Sequence, residues 1–107
     1  MMGGFLMRPN RSLNHKQNLE DLFKALELLE SPAETKGFLM DLCTPSELNA
    51  MAERWNLARL LWSKNYSYRE ISDLTGASTT TVGRVARFLF QEDNNGYQNL
   101  INRMEKL

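Results

Sequence analysis

Three features of this 107-residue sequence predict an all-α fold. One is the thrice-repeated pattern Ser/Thr-x-x-Glu, at Ser31-Pro32-Ala33-Glu34, Thr44-Pro45-Ser46-Glu47 and Ser67-Tyr68-Arg69-Glu70. In such a capping box the hydroxyl and the carboxylate each satisfy an orphan backbone N–H at a helix start. Another is the recurrence of apolar residues at three- and four-residue steps, the period of a helix with one buried face. The last is that no segment of useful length alternates with period two, so strands are not expected.

Six helices follow in order. The segment through about Lys16 holds Gly3, Gly4, Pro9 and no sustained periodicity, so residues 1–17 read as a mobile basic arm and 18–107 as the folded domain. Leu19, Leu22, Phe23, Leu26 and Leu29 form the buried stripe of the first helix. The Ser31 box, with proline in its first turn, opens a short helix expected to bury Phe38, Leu39 and Leu42. The Thr44 box opens the longest helix, to about Ser63, where Leu48, Met51, Trp55, Ala58 and Trp62 recur and Leu57, Leu60 and Leu61 widen the stripe. A helix apolar on more than one side is covered on more than one side. A small domain buries little surface alone, so the cover expected is a second subunit, against the alternative of the helix's own neighbours. The Ser67 box opens a helix to about Thr75 that Gly76 ends, glycine being suited to a positive φ. Ser78 caps the next helix, with Val82, Val85, Ala86 and Leu89 inward. Asn94-Asn95-Gly96 breaks the chain before a last helix striped by Tyr97, Leu100, Ile101 and Met104.

Composition narrows the function classes. Hydrophobic residues at 42% and charged residues at 24% fit a soluble globular chain. A single cysteine, Cys43, forbids an intrachain disulfide, and with one histidine, His15, it argues against a zinc site or any other bound metal. No apolar run approaches the ~20 residues that span a bilayer. The patch Met1–Met7 lacks a preceding positive charge and makes a poor signal peptide, so a reduced, cytoplasmic protein is expected. The 13 basic and 13 acidic residues cancel, yet they are segregated. Residues 18–53 carry eight acids against Lys24 and Lys36. Residues 54–90 carry Arg54, Arg59, Lys64, Arg69, Arg84 and Arg87 against Glu70 and Asp73. A basic block of net +4 inside a neutral chain can make a local field for phosphate.

That block contains a helix-turn-helix pattern, Tyr68 through Val85. Ile71 and Leu74 on its first helix and Val82 and Val85 on its second are expected inward, and small Ser72, Gly76 and Ala77 let the helices cross closely. This spacing points to DNA binding. Ser78, Thr79, Thr80 and Gly83 fall at the outer start of the second helix, small enough to let it approach base edges in the major groove. Gly83 costs the helix about 1 kcal/mol against alanine, which makes sense where a side chain would strike DNA. The alternative is relief of crowding against another helix. Arg69 can reach a guanine or a phosphate, and Arg84 and Arg87 flank the contact face. Their alternative is ordinary solvated charge paired with Glu70 or Asp73.

These residues resemble the tryptophan repressor family, and most of all its YerC/YecD-type members. The resemblance runs from about Leu19 to Met104. It is most specific in Asp41-Leu-Cys-Thr-Pro-Ser-Glu, in Ala52-Glu-Arg-Trp-Asn-Leu-Ala-Arg and from Tyr68-Arg-Glu-Ile through Gly76-Ala-Ser-Thr-Thr-Thr-Val-Gly-Arg-Val. It implies a six-helix fold, an intertwined homodimer, and a palindromic operator with half-sites about one DNA turn, ~34 Å, apart. It also implies that the positions holding the tryptophan effector are Thr44, Arg54 and Arg84, residue types retained here. The next position departs: Val85 stands where a glycine leaves room for the indole ring, and Phe88 adds bulk three residues on. Two large apolar groups fill such a cavity. The expectation is a repressor that needs no tryptophan, with Thr44, Arg54, Arg84, Val85 and Phe88 a vestigial effector pocket, and Arg54 and Arg84 turned to phosphate.

An enzyme is not expected. His15 has no nucleophile placed beside it, Cys43 reads as part of the second helix's buried stripe, and Gly3-Gly4 lacks the sequel of a phosphate loop. No cofactor is expected either. The competing class is a helical dimeric interaction scaffold without specific DNA binding. It would gain from large apolar residues near Thr79, Thr80 and Gly83, where there are none.

Overall fold

The computed structural model of the protein describes residues 14–107. Over that span six α-helices and no strands occur: α1 His15–Glu27, α2 Pro32–Leu42, α3 Pro45–Ser63, α4 Tyr68–Thr75, α5 Thr79–Phe90 and α6 Gly96–Met104. The chain divides into two compact units, Met1–Leu42 and Cys43–Leu107. The division falls just before the Thr44 box. The first thirteen residues of the expected basic arm lie outside the described ones. The last three belong to α1, because the Asn14 side chain accepts from the Gln17 N–H at 3.0 Å and starts the helix at His15.

In the first unit neither helix contains a buried residue. Leu22, Leu29, Phe38 and Leu39 are half-buried, while Leu19, Phe23, Leu28, Met40 and Leu42 are exposed. The expected buried stripes are thus present as stripes but only partly covered. Two short helices bury too little surface to close a core by themselves. The Ser31 box is offset by one residue. The Glu34 N–H donates to Ser31 Oγ at 3.1 Å, but the Glu34 carboxylate accepts from the Glu30 N–H at 2.9 Å.

In the second unit α3 packs chiefly on α5, α4 lies against α5 and α3, and α6 closes over α5 and α3. The core is Leu57, Ala58 and Leu61 of α3, Ile71 of α4, Ala77 of the turn, Val82, Val85, Ala86 and Leu89 of α5 and Ile101 of α6. Each fully buried Leu, Ile or Val contributes about 1.5–3 kcal/mol. Trp55 stacks on Tyr97 at 6.3 Å and Trp62 on Phe90 at 6.4 Å, fastening α3 to α6 and to α5. Gln98 Nε2 donates to the Leu89 carbonyl at 2.7 Å and ties α6 to the last turn of α5. The capping boxes of Thr44 and Ser67 are complete.

Four expectations are corrected here. Met51 is exposed on the stripe of α3, where Leu48, Trp55 and Trp62 are half-buried and only Ala58 is fully buried. Leu74 is 63% exposed: α4 has room for one inward residue in its eight, and Ile71 takes it. Leu100 and Met104 are exposed beside buried Ile101. Cys43 is half-buried and follows the end of α2 rather than lying on its stripe.

Candidate nucleic-acid interface

The helix-turn-helix is built by local hydrogen bonds that its sequence makes possible. Ser67 Oγ accepts from the Glu70 N–H at 3.1 Å and the Glu70 carboxylate from the Ser67 N–H at 2.8 Å, which starts α4. Gly76 ends it at φ +82°, a left-handed conformation that costs a residue with a Cβ about 1–2 kcal/mol. The turn is then locked by small hydroxyls. Ser72 Oγ donates to the Ala77 carbonyl at 2.6 Å, Thr75 Oγ1 donates to the Ile71 carbonyl at 2.7 Å, and the Ala77 N–H donates to Thr75 Oγ1 at 3.2 Å. Ser78 caps α5 by accepting from the Thr81 N–H at 3.1 Å, and its hydroxyl also meets that of Thr81 at 3.0 Å. The Ser78 hydroxyl is therefore committed to the cap, which narrows its part in any base contact.

Thr79 and Thr80 stand exposed on the first turn of α5, which carries no acidic residue. The positive end of the helix dipole is therefore unopposed there. Gly83 lies one turn on, and a Cβ built on it meets no atom within 4 Å. Crowding against a neighbouring helix thus does not explain the glycine among the described residues. Arg69 at the start of α4 and Arg84 and Arg87 on α5 are exposed. Val82, Val85, Ala86 and Leu89 anchor the opposite side of α5 in the core, so the exposed face with Thr79, Thr80 and Gly83 is held on a packed element.

The arginines are not equivalent. Among the described residues the one ion pair is Arg87 Nε to Glu92 Oε2, at 2.9 Å. Arg87 therefore pairs with neither Glu70 nor Asp73. At 64% and 34% side-chain exposure the pair is worth no more than about 1 kcal/mol and yields readily to a phosphate. The Arg84 guanidinium lies 4.8 Å from the centroid of the Phe88 ring, and that of Arg87 5.8 Å. Neither contact follows from the helix-turn-helix spacing. Glu92 lies five residues after Arg87 and beyond the end of α5.

The residues expected to form an effector pocket have other commitments. Thr44 Oγ1 accepts from the Glu47 N–H at 3.1 Å as the cap of α3. Val85 is 1% exposed, within the core cluster. Phe88 is half-buried, with Arg84 against its ring. Arg54 is half-buried on α3. Phe88 also lines an open groove of about 320 Å³ with Trp55, Asn94, Gly96, Tyr97 and Leu100. No group of three or more His, Cys, Asp or Glu side chains able to hold a metal ion occurs among the described residues. No helix among them is long and apolar enough to cross a membrane.

Comparison with known proteins places this arrangement among others. The family model described as Trp repressor protein matches residues 17–105. The uncharacterized protein YerC of Bacillus subtilis is 36% identical over 90 residues, which is 84% of this chain and 85% of YerC. The crystal structure of a candidate Trp repressor from Staphylococcus aureus superposes with a TM-score of 0.73 at 36% identity, covering 83% of this chain and 87% of that one. That of a TrpR-like protein from Eubacterium eligens superposes with a TM-score of 0.75 at 35% identity, covering 92% and 98%.

Proposed function

The chain belongs to the Trp repressor protein family, and from that premise we propose that it is a sequence-specific DNA-binding transcriptional repressor, working as a homodimer on a palindromic operator without tryptophan. One observation carries the reading. The start of α5 presents Thr79, Thr80 and an unencumbered Gly83, on a helix whose other side is locked into the core, with Arg69, Arg84 and Arg87 around it. Small side chains let a helix sit deep in the major groove, where threonine hydroxyls and methyls meet base edges. The arginines hold the register on phosphates.

The dimer is supported by what one chain leaves open. Leu19, Phe23 and Leu26 of α1, Met40 and Leu42 of α2 and Met51 of α3 are exposed in a single copy. Large apolar side chains left open in this way are what a shared core covers. The absence of a tryptophan response is supported by Val85, which is closed into the core, and by Phe88, which gives Arg84 a ring belonging to the protein itself. Selection of bound duplexes from a random pool tests the whole reading. The expected result is a palindrome with half-sites about one turn apart, bound with an affinity that falls steeply with salt. No enrichment, or a flat salt response, refutes it. Calorimetry should give no heat with L-tryptophan, and micromolar binding would refute the effector part.

A further inference from the structure

Phe88 is the point on α5 where two arginines of the reading face share one surface. Its ring centroid is 4.8 Å from the guanidinium carbon of Arg84 and 5.8 Å from that of Arg87. The helix itself creates this contact. Side chains lean toward the N-terminus, so a residue covers the turn ahead of its own Cα, and Phe88 lies back over Arg84 one turn earlier. The face of a phenyl ring attracts a cation. Arg84 makes no ion pair among the described residues, so the ring is its contact, whereas Arg87 is held by the ring and by Glu92. The ring is half-buried and faces a groove whose other walls include Trp55 and Tyr97, which stack on each other.

An arginine that must be ordered when it meets a phosphate subtracts that ordering from the affinity; one already held does not. We infer that Phe88 is a positioning residue of the DNA-binding face, holding Arg84 in the orientation that meets phosphate. This rests on the DNA-binding reading above and adds to it a residue that touches no DNA.

The test uses the full chain and its selected duplex. Phe88→Leu keeps an apolar side chain and removes the ring face, and Phe88→Trp keeps a ring. Phe88→Leu should weaken binding about two- to tenfold, the range set by immobilising one long side chain. Phe88→Trp should bind within about twofold of the unmodified protein, and the effect of Phe88→Leu should vanish in an Arg84→Ala background. In free protein the side-chain proton resonances of Arg84 should carry an upfield ring-current shift that Phe88→Leu abolishes. That shift decides the matter should Phe88→Leu not fold. Absence of the shift, an unchanged affinity in Phe88→Leu, or an equal weakening in both backgrounds overturns the inference and leaves DNA binding standing. A protein that selects no duplex at all overturns both.

Discussion

Replacing Gly83 with alanine separates what the helix wants from what its partner wants. Gly83 lies inside α5, the fifth of twelve residues, and its φ is not positive. Glycine there costs about 0.8–1.0 kcal/mol relative to alanine. The added methyl meets no atom within 4 Å, so no clash opposes that gain. The folded protein should become more stable by about 1 kcal/mol, or roughly 4–8 °C in Tm for a domain of this size. In the proposed complex the same methyl projects toward the groove that Thr79 and Thr80 would address. Binding of the selected duplex should weaken by about 1–3 kcal/mol, the usual cost of one mismatched position in a specific site. Denaturant melts and fluorescence anisotropy on the same preparation measure both quantities. A variant that is more stable and binds DNA unchanged would show that the open space is not kept for DNA. A variant that is less stable would show that another surface packs on Gly83 in the assembled protein, reinstating the crowding explanation.

Gly76→Ala should have the opposite sign, destabilising by about 1–2 kcal/mol in a urea melt, although its Cβ also meets nothing within 4 Å, because φ is +82°. Arg69→Ala should reduce the log–log salt slope of binding by about 1 for each phosphate it no longer neutralises, uniformly across sequences, whereas Thr80→Ala should change the preferred operator and leave the slope alone. Phe23→Asp, on the exposed stripe of α1, should halve the mass seen in sedimentation; an unchanged mass would place the dimer interface elsewhere or deny it.

Helix ends are the most legible part of this sequence, because each is written in a few adjacent residues. Thr44 with Glu47, Ser67 with Glu70, Ser78 alone and Gly76 all act within one turn, so their chemistry is complete locally. Faces are less legible. Periodicity says which side of a helix is apolar but not what covers it, and Leu19, Phe23, Met51 and Leu74 all lie on apolar positions that one chain leaves exposed. Within the reading face, the small residues Thr79, Thr80 and Gly83 can be placed from spacing alone, since the core residues Val82 and Val85 fix the rotation of α5. The partner of Arg87 cannot, because Arg87 meets Glu92 across a helix end, where no fixed repeat applies. Arg84 and Phe88 stand at the i, i+4 spacing that brings side chains together, but from the sequence Phe88 reads as cavity filling.

Those two partnerships alter how the charge should be weighed. Counting bases treats Arg69, Arg84 and Arg87 as three equal contributions to a phosphate field. The structure instead gives one arginine with neither an ion pair nor a ring contact among the described residues, one lying over a ring, and one shared between a ring and a carboxylate. Long-range attraction depends on the sum and is screened by salt within about 10 Å at 0.1 M. Docking depends on how each guanidinium is held. Glu92→Gln should therefore raise affinity modestly, by the ≤ ~1 kcal/mol that an exposed pair is worth, since phosphate no longer competes with a carboxylate for Arg87. A fall in affinity on that substitution, measured at fixed salt, would mean that Glu92 holds Arg87 in place more than it neutralises it, and that orientation outweighs charge on this face.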